Sequence, residues 1–391
     1  MRDGAGRRAR RFFANETVLV VAAVAALVSC AAVPPDALYA GYVDWNTLAL
    51  LFCLMAVVAG FRELGVLDTA GAWLVARART QRAIVAALVG LAFFASMLVT
   101  NDVALITFVP LALAVLRAAH MEHRLCLVAA LMTVAANLGS MFTPVGNPQN
   151  LYLFTASGMG MGQFLQLMGP YTLASGVLLA TVVAAAFRPQ PLARNGERGL
   201  ATSSANPPAS MPLREHRLRF ILYLALFAAC LAAVIGIADV RAVLALVLVT
   251  VAFTDARLLK RVDFGLLATF VALFVFVGNL SRLPLLHDVL AAAVSTNALL
   301  ASVAASQVIS NVPAAVLLSG FTNQWPALIV GTNLGGLGTL IASMASLITF
   351  KAVSVGRPGI RGRYLAVFTL VNVAFLAVLL VLAMLQGCAA V

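Results

Sequence analysis

The chain has 391 residues, of which 62% are hydrophobic and only 10% charged, with a mean hydropathy of +1.01. A soluble domain carries about 25% charged residues, so this composition excludes an ordinary water-soluble globule. The net charge of +12 falls almost entirely in short segments between apolar runs, where it reads as membrane topology rather than as a nucleic-acid patch.

At the start of the chain, Arg7, Arg8, Arg10 and Arg11 make residues 1–16 a basic cytoplasmic N-terminus, followed by an apolar run at 17–34. The pairing imitates a secretory signal peptide, and Leu27-Val28-Ser29-Cys30 imitates a lipoprotein cleavage site. Because the run continues to Val33 and further spans follow, an uncleaved first helix is the better reading. Runs of the roughly 18 residues that a spanning helix needs recur near 45–61, 125–157, 164–187, 219–238, 241–256, 264–281, 326–350 and 364–386. Two more apolar stretches, 83–117 and 297–321, are each interrupted by a short polar tip. Read as re-entrant hairpins, these two leave nine crossings in all. With the N-terminus in the cytoplasm, all of the 26 Lys and Arg except Arg241 and Arg282 lie on that side, as the positive-inside rule expects. The C-terminus then lies outside.

Residues 188–217, rich in Pro, Ser, Asn and Arg, cannot bury a core and read as a flexible cytoplasmic linker. The linker separates a first transmembrane repeat, 17–187, from a connecting helix at 218–238 and a second repeat at 239–391. The halves match in sequence. Val43-Asp44-Trp45 opens one apolar helix and Val262-Asp263-Phe264 another; Thr100-Asn101-Asp102 and Ser310-Asn311-Val312 each sit between two apolar arms. The segment NLGSMFTPVGNPQNLYLF (137–154) aligns without gaps on NLGGLGTLIASMASLITF (333–350). The topology puts Asp44 outside and Asp263 inside, so the repeats are expected to be inverted. Inverted repeats with discontinuous helices are the build of alternating-access transporters.

The helix at 125–157 is interrupted by Gly139, Pro144, Gly146 and Pro148, and proline removes a donor from the helical ladder. An unsatisfied backbone group in hydrocarbon costs several kcal/mol, so such a break is expected only where it lines a polar cavity. Half-helix ends there offer partial positive charge to an anion and free carbonyls to a cation. Residues 333–343 form the matching break. At the hairpin tips, Asp102 is the one acidic residue placed deep in the membrane, by default a functional position. The simpler reading is that it caps the second hairpin arm, and the two are compatible. The cysteines (Cys30, Cys53, Cys126, Cys230, Cys388) have no metal-ligand or redox spacing and read as packing residues. No cluster of catalytic groups shares one membrane depth, which argues against an enzyme and leaves no cofactor to expect beyond a bound ion.

Four segments, TNDVALITFVPLAL (100–113), NLGSMFTPVGNPQN (137–150), SQVISNVPAAVLLSG (306–320) and NLGGLGTLIAS (333–343), together resemble the ion transporter superfamily. The resemblance covers most of residues 40–360. That superfamily includes divalent anion:sodium symporters, citrate-transporter-like permeases, arsenite permeases and type D sodium/proton antiporters, and the chain is most similar to bacterial anion permeases of the arsenite-permease and antiporter branch. The resemblance implies an all-α fold of two inverted repeats, each with a re-entrant hairpin and a discontinuous helix. It also implies a homodimer in the cell membrane, with lipid and a small ion as partners. In the symporter branch each tip reads Ser-Asn-Thr and, with the adjacent break, holds sodium and substrate carboxylates. Carried over by position, sodium falls to Thr100 and Asn101 at one site and to Ser310 and Asn311 at the other. The remaining candidates are Asp102, Asn137, Gly139, Thr143, Pro144, Gly146, Asn147 and Asn150 in the first half, and Asn333, Gly335, Gly336, Thr339 and Ser343 in the second.

The third tip position departs from that pattern, being Asp102 in one half and Val312 in the other. An ionised Asp102 repels a carboxylate, and Val312 donates no hydrogen bond, which disfavours a dicarboxylate. It makes Asp102 a candidate proton or sodium carrier, since desolvation penalises the charged form of a carboxylate. The expected function is a proton- or sodium-linked permease for a small anion. Arsenite efflux and sodium/proton exchange are the alternatives, and a passive channel is the reading from a different class.

Overall fold

A computed structural model of the chain describes residues 16–191, 213–355 and 357–387. These residues are helical throughout, with no strand among them. The first half contributes α1 (Thr17–Ala32), α2 (Trp45–Glu63), α3 (Val66–Ala76), α4 (Gln81–Ala95), α5 (Asn101–Ala118), α6 (Leu125–Ser140), α7 (Pro148–Ser157) and α8 (Met161–Ala186). A connecting helix α9 (Leu213–Val234) precedes α10 (Val240–Asp255), α11 (Phe264–Ser281), α12 (Pro284–Thr296), α13 (Ala298–Ile309), α14 (Asn311–Ser319), α15 (Trp325–Gly335), α16 (Met344–Ser354) and α17 (Arg361–Leu385). Eight helices among the described residues are long and apolar enough to cross a membrane.

The order of elements from α2 to α8 repeats from α11 to α17. Asp44 caps α2 by accepting from the Thr47 amide at 3.0 Å, and Asp263 caps α11 by accepting from the Leu266 amide at 2.9 Å. Each repeat also has a preceding helix that packs on the other half: α1 lies against α11, and α10 against α2. The Asn279 amide on α11 secures the first of these contacts by donating to Ser29 Oγ at 2.9 Å.

The core is formed by the discontinuous helices. Every residue of α6 except Leu127 is buried, as is α15 from Ala327 to Gly335. The hairpin arms pack directly on them, α4 on α6 and α13 on α15, and glycines set the distance. A Cβ on Gly139 would strike the Phe93 carbonyl and Ser96 Oγ; one on Gly335 would lie 2.6 Å from Ser306 Oγ. The breaks themselves run over 141–147 and 336–343.

Several expectations need correction. Gly139 and Gly335 do not interrupt their helices; they lie inside the last turns of α6 and α15 and serve close packing. Pro148 starts α7 at its first position, where the missing N–H costs nothing. The short helices α3 and α12 were not anticipated. Of the expected linker 188–217, residues 192–212 lie outside the described residues, and α9 already begins at Leu213. The basic residues at 7–11 and Cys388 also lie outside them. Cys53, Cys126 and Cys230 are buried, as packing residues should be.

The second hairpin is short: α13 has 12 residues and α14 has 9, about 18 and 14 Å at 1.5 Å per residue, against a hydrocarbon layer of about 30 Å. In the first hairpin α5 has 18 residues, with Pro110 inside, so length alone does not make that arm re-entrant. The close α4–α6 contact yields a prediction. Gly139→Val should overpack this contact and destabilise the protein by about 1–3 kcal/mol. A thermal melt of the purified variant measures it, and a melting temperature equal to wild type would refute the contact.

Candidate functional site

The two hairpin tips meet the two breaks through matching backbone bonds. The Asn101 amide nitrogen donates to Gly146 O at 3.1 Å, and the Asn311 amide nitrogen donates to Ala342 O at 3.0 Å. Gly146 and Ala342 share the same offset as the paired asparagines Asn137 and Asn333, 196 residues apart. Outside these bonds, Thr143 Oγ1 donates to Met97 O, and its counterpart Thr339 Oγ1 donates to Gln307 O at 3.1 Å.

Side chains then stitch the halves together. Asn137 Oδ1 accepts from Asn101 Nδ2 and from Ser343 Oγ, both at 3.0 Å, while its Nδ2 donates to Gly336 O at 3.3 Å. Asn333 Oδ1 accepts from Asn147 Nδ2 at 3.3 Å, and its Nδ2 donates to Asn150 Oδ1 at 2.6 Å. The contacts Asn147 to Asn333 and Ser343 to Asn137 exchange under the 196-residue offset. All of these side chains are buried, where an unpaired polar group costs about 1–3 kcal/mol.

Each break is further closed by one carboxamide. Asn150 Nδ2 lies 3.2–3.4 Å from the carbonyls of Ser140, Met141 and Thr143. Gln307 Nε2, on α13, lies 2.8–3.3 Å from those of Val303, Gly335 and Leu337.

Tip, break and α2 together enclose a cavity of about 210 Å³, lined by Thr100, Asp102, Asn147, Pro148, Arg62, Arg261 and Asp263 among others. Asp102 Oδ1 is buried without a hydrogen-bond partner. Thr100 is the residue that precedes α5, and its side chain makes no capping bond. At the rim, Arg261 pairs with Glu63 at 2.5 Å. A smaller cavity of about 30 Å³ is lined by Ser310, Val312, Pro313, Met344 and Asp263. Thr100, Asp102, Val103 and Pro148 of the first cavity are the positional equivalents of Ser310, Val312, Pro313 and Met344.

The expected site residues thus divide into groups. Asn101, Asn137, Asn147, Asn150, Asn333, Gly336 and Ser343 form one hydrogen-bonded centre, with Ser310 and Asn311 against it: a Cβ on Gly336 would sit 3.0 Å from Asn311 Nδ2. Thr100 and Asp102 line the large cavity. Pro144 is buried within the break, Thr143 and Thr339 brace the hairpins, and Thr339 is exposed. Sequence reasoning missed Ser140, which accepts from Asn147 Nδ2 at 3.0 Å, as well as Gln307 and the two arginines.

The sequence profile of the citrate transporter family matches residues 12–324. The chain belongs to that family. It is 31% identical over 338 residues to an uncharacterized transporter of Methanocaldococcus jannaschii, covering 86% of this chain and 88% of that one. It is 32% identical over 314 residues to an inner membrane protein of Escherichia coli, covering 79% and 80%. A shorter match, 24% over 125 residues, reaches a transporter named arsB in Dictyostelium discoideum, covering 32% and 22%. The family member is therefore a multi-pass membrane transporter of the citrate-transporter and arsB type, not an enzyme.

Asn137 is the hub of the centre, and its truncation gives a second prediction. Asn137→Ala strands Asn101 Nδ2 and Ser343 Oγ without acceptors, and should destabilise the purified protein by about 1–3 kcal/mol or more. Thermal denaturation in detergent measures this. A melting temperature like that of wild type would remove Asn137 from the hub.

Proposed function

We propose that the chain is a secondary active permease for a small anion, driven by a proton or sodium gradient through alternating access between two inverted repeats. The observation that carries this reading is Asp102: a carboxylate oxygen buried without a partner, on the wall of a cavity that reaches Arg62 and Arg261. Arg62, beside the Arg261 that Glu63 pairs, favours an anion at the rim. Asp102, with Thr100 and Asn147 beside it, supplies the oxygens that a proton or a hard cation takes. The broken helices support alternating access, since irregular backbone at membrane depth persists where it lines a cavity. The same carboxylate carries a second reading, sodium/proton exchange, in which no anion moves. Arsenite efflux would use the same cavity with a neutral substrate.

Gradient-driven transport in proteoliposomes tests the assignment. Wild type should concentrate substrate, or exchange ions, under a pH or sodium gradient. Asp102→Asn keeps the shape and should abolish coupling while leaving the melting temperature within a few degrees of wild type. Full gradient-driven transport by Asp102→Asn would move the coupling site to the hydroxyls and carbonyls of the breaks. Substrate uptake against its gradient separates the permease from the exchanger.

The proposed setting is the plasma membrane, with the N-terminus cytoplasmic, the C-terminus outside and both ends of the first hairpin cytoplasmic. The E. coli relative's printed name, an inner membrane protein, supports that location. On a background without native thiols, an impermeant thiol reagent added to intact cells should label Leu38→Cys and spare His120→Cys. Labelling of His120→Cys from outside would reverse the hairpin and end the inverted-repeat reading.

A further inference from the structure

The second break is held differently from the first. In the first, the carboxamide that gathers the loop carbonyls is Asn150, which belongs to the broken helix itself. In the second, the position equivalent to Asn150 is Ser346, whose hydroxyl is buried without a partner. The carbonyls are gathered instead by Gln307 on the hairpin arm, and the residue at its position in the first repeat is Met97, which has no amide. Gln307 Nε2 lies 2.9 Å from Gly335 O, 2.8 Å from Leu337 O and 3.3 Å from Val303 O. Its Oε1 accepts from the Thr339 amide at 2.9 Å, which fixes the orientation of the group. The loop is shaped around it: Gly338 has φ +109°, and a Cβ there would strike Gln307 Oε1.

Backbone carbonyls converging on one point, here Gly335 and Leu337 at the break and Val303 one turn earlier on the arm, are how proteins strip and hold a monovalent cation. Here the point is filled by an NH2 group, which carries partial positive charge and two donors. We infer that Gln307 is a built-in substitute for a monovalent cation at the second break, so that this chain needs no bound ion there. The inference rests on reading the breaks as the ion-handling loops of the transporter. It replaces the sodium expected at Ser310 and Asn311, and it gives the hairpin arm a fixed attachment to the loop. Removing the amide then leaves a latent cation site.

Thermal melts of the full chain in detergent, in choline chloride and with sodium, lithium or potassium chloride added, test this. Gln307→Ala should melt several degrees below wild type in choline and recover at least half of that loss in one of the three salts. The recovery should exceed any shift that wild type shows in the same salt. Gln307→Leu, which fills the space without a donor, should melt low and not recover. Asp102→Asn should respond to salt no more than wild type does, which keeps a failure of the coupling assignment distinct from a failure here. Where Gln307→Ala does not survive extraction, Gln307→Ser is measured in its place. Three results overturn the inference: a salt response of the truncated variant no larger than that of wild type, an unchanged melting temperature in choline, or loss of both variants even when extracted in each salt.

Discussion

A backbone that leaves its helix inside an apolar layer must find every hydrogen-bond partner within the protein, and the architecture follows from that constraint. Each unsatisfied group would cost several kcal/mol in hydrocarbon. The two breaks at 141–147 and 336–343 therefore draw polar side chains into the interior of the molecule. Asn137, Asn147, Asn150, Asn333, Ser343 and Gln307 supply donors and acceptors there. A buried amide is acceptable only as a member of a network that satisfies it, which is why these residues bond one another as well as the loops. The stitching also joins the two halves at their centre. The hairpin arms and the glycines beneath them then serve to bring the tips within reach.

This constraint also accounts for what could be read from the sequence. The 137–154 segment aligned on 333–350 without a gap because a break held by side chains tolerates no insertion. The tips are less rigidly spaced: Asn101 and Asn137 are 36 residues apart, whereas Asn311 and Asn333 are separated by 22. Both tip asparagines nonetheless make the same backbone bond to their break, Asn101 to Gly146 and Asn311 to Ala342, since surface connections vary in length at little free-energy cost. The helices α3 and α12 were missed for the opposite reason. With 11 and 13 residues, broken by Gly71 and Asp68 in one and by Pro284, His287 and Asp288 in the other, they show no run long enough to announce a span. Gly139 and Gly335 were misread because glycine in a sequence does not say whether it frees the backbone or lets another backbone approach.

Asp102 stood out in the sequence because a lone carboxylate amid apolar residues is costly at that depth, with helix capping as the simpler role. The structure weakens even the capping role, leaving Oδ1 buried and unpartnered. Gln307 was not legible. In the stretch SQVISN it reads as one more polar residue beside a tip, and Met97, at its position in the first repeat, is apolar. A sequence can mark a side chain as polar and deep; which carbonyls it will gather depends on how far the arm has slid along the broken helix.

The asymmetry between the repeats has a consequence for any cycle in which they exchange conformations. Equivalent positions line a cavity of about 210 Å³ in one half and about 30 Å³ in the other. Exchange of the two shapes would move that volume from one tip to the other, but it cannot move the charge. Asp102 faces the first cavity and Val312 the second. On the permease reading, a proton or cation is then taken up and released at the first tip alone, and the second tip contributes shape. A carboxylate emptied of its ion and shut away from water is costly, so on this reading closure around Asp102 is favoured only when it is neutralised. That preference links ion occupancy to conformation, and it needs a carboxylate in one repeat only.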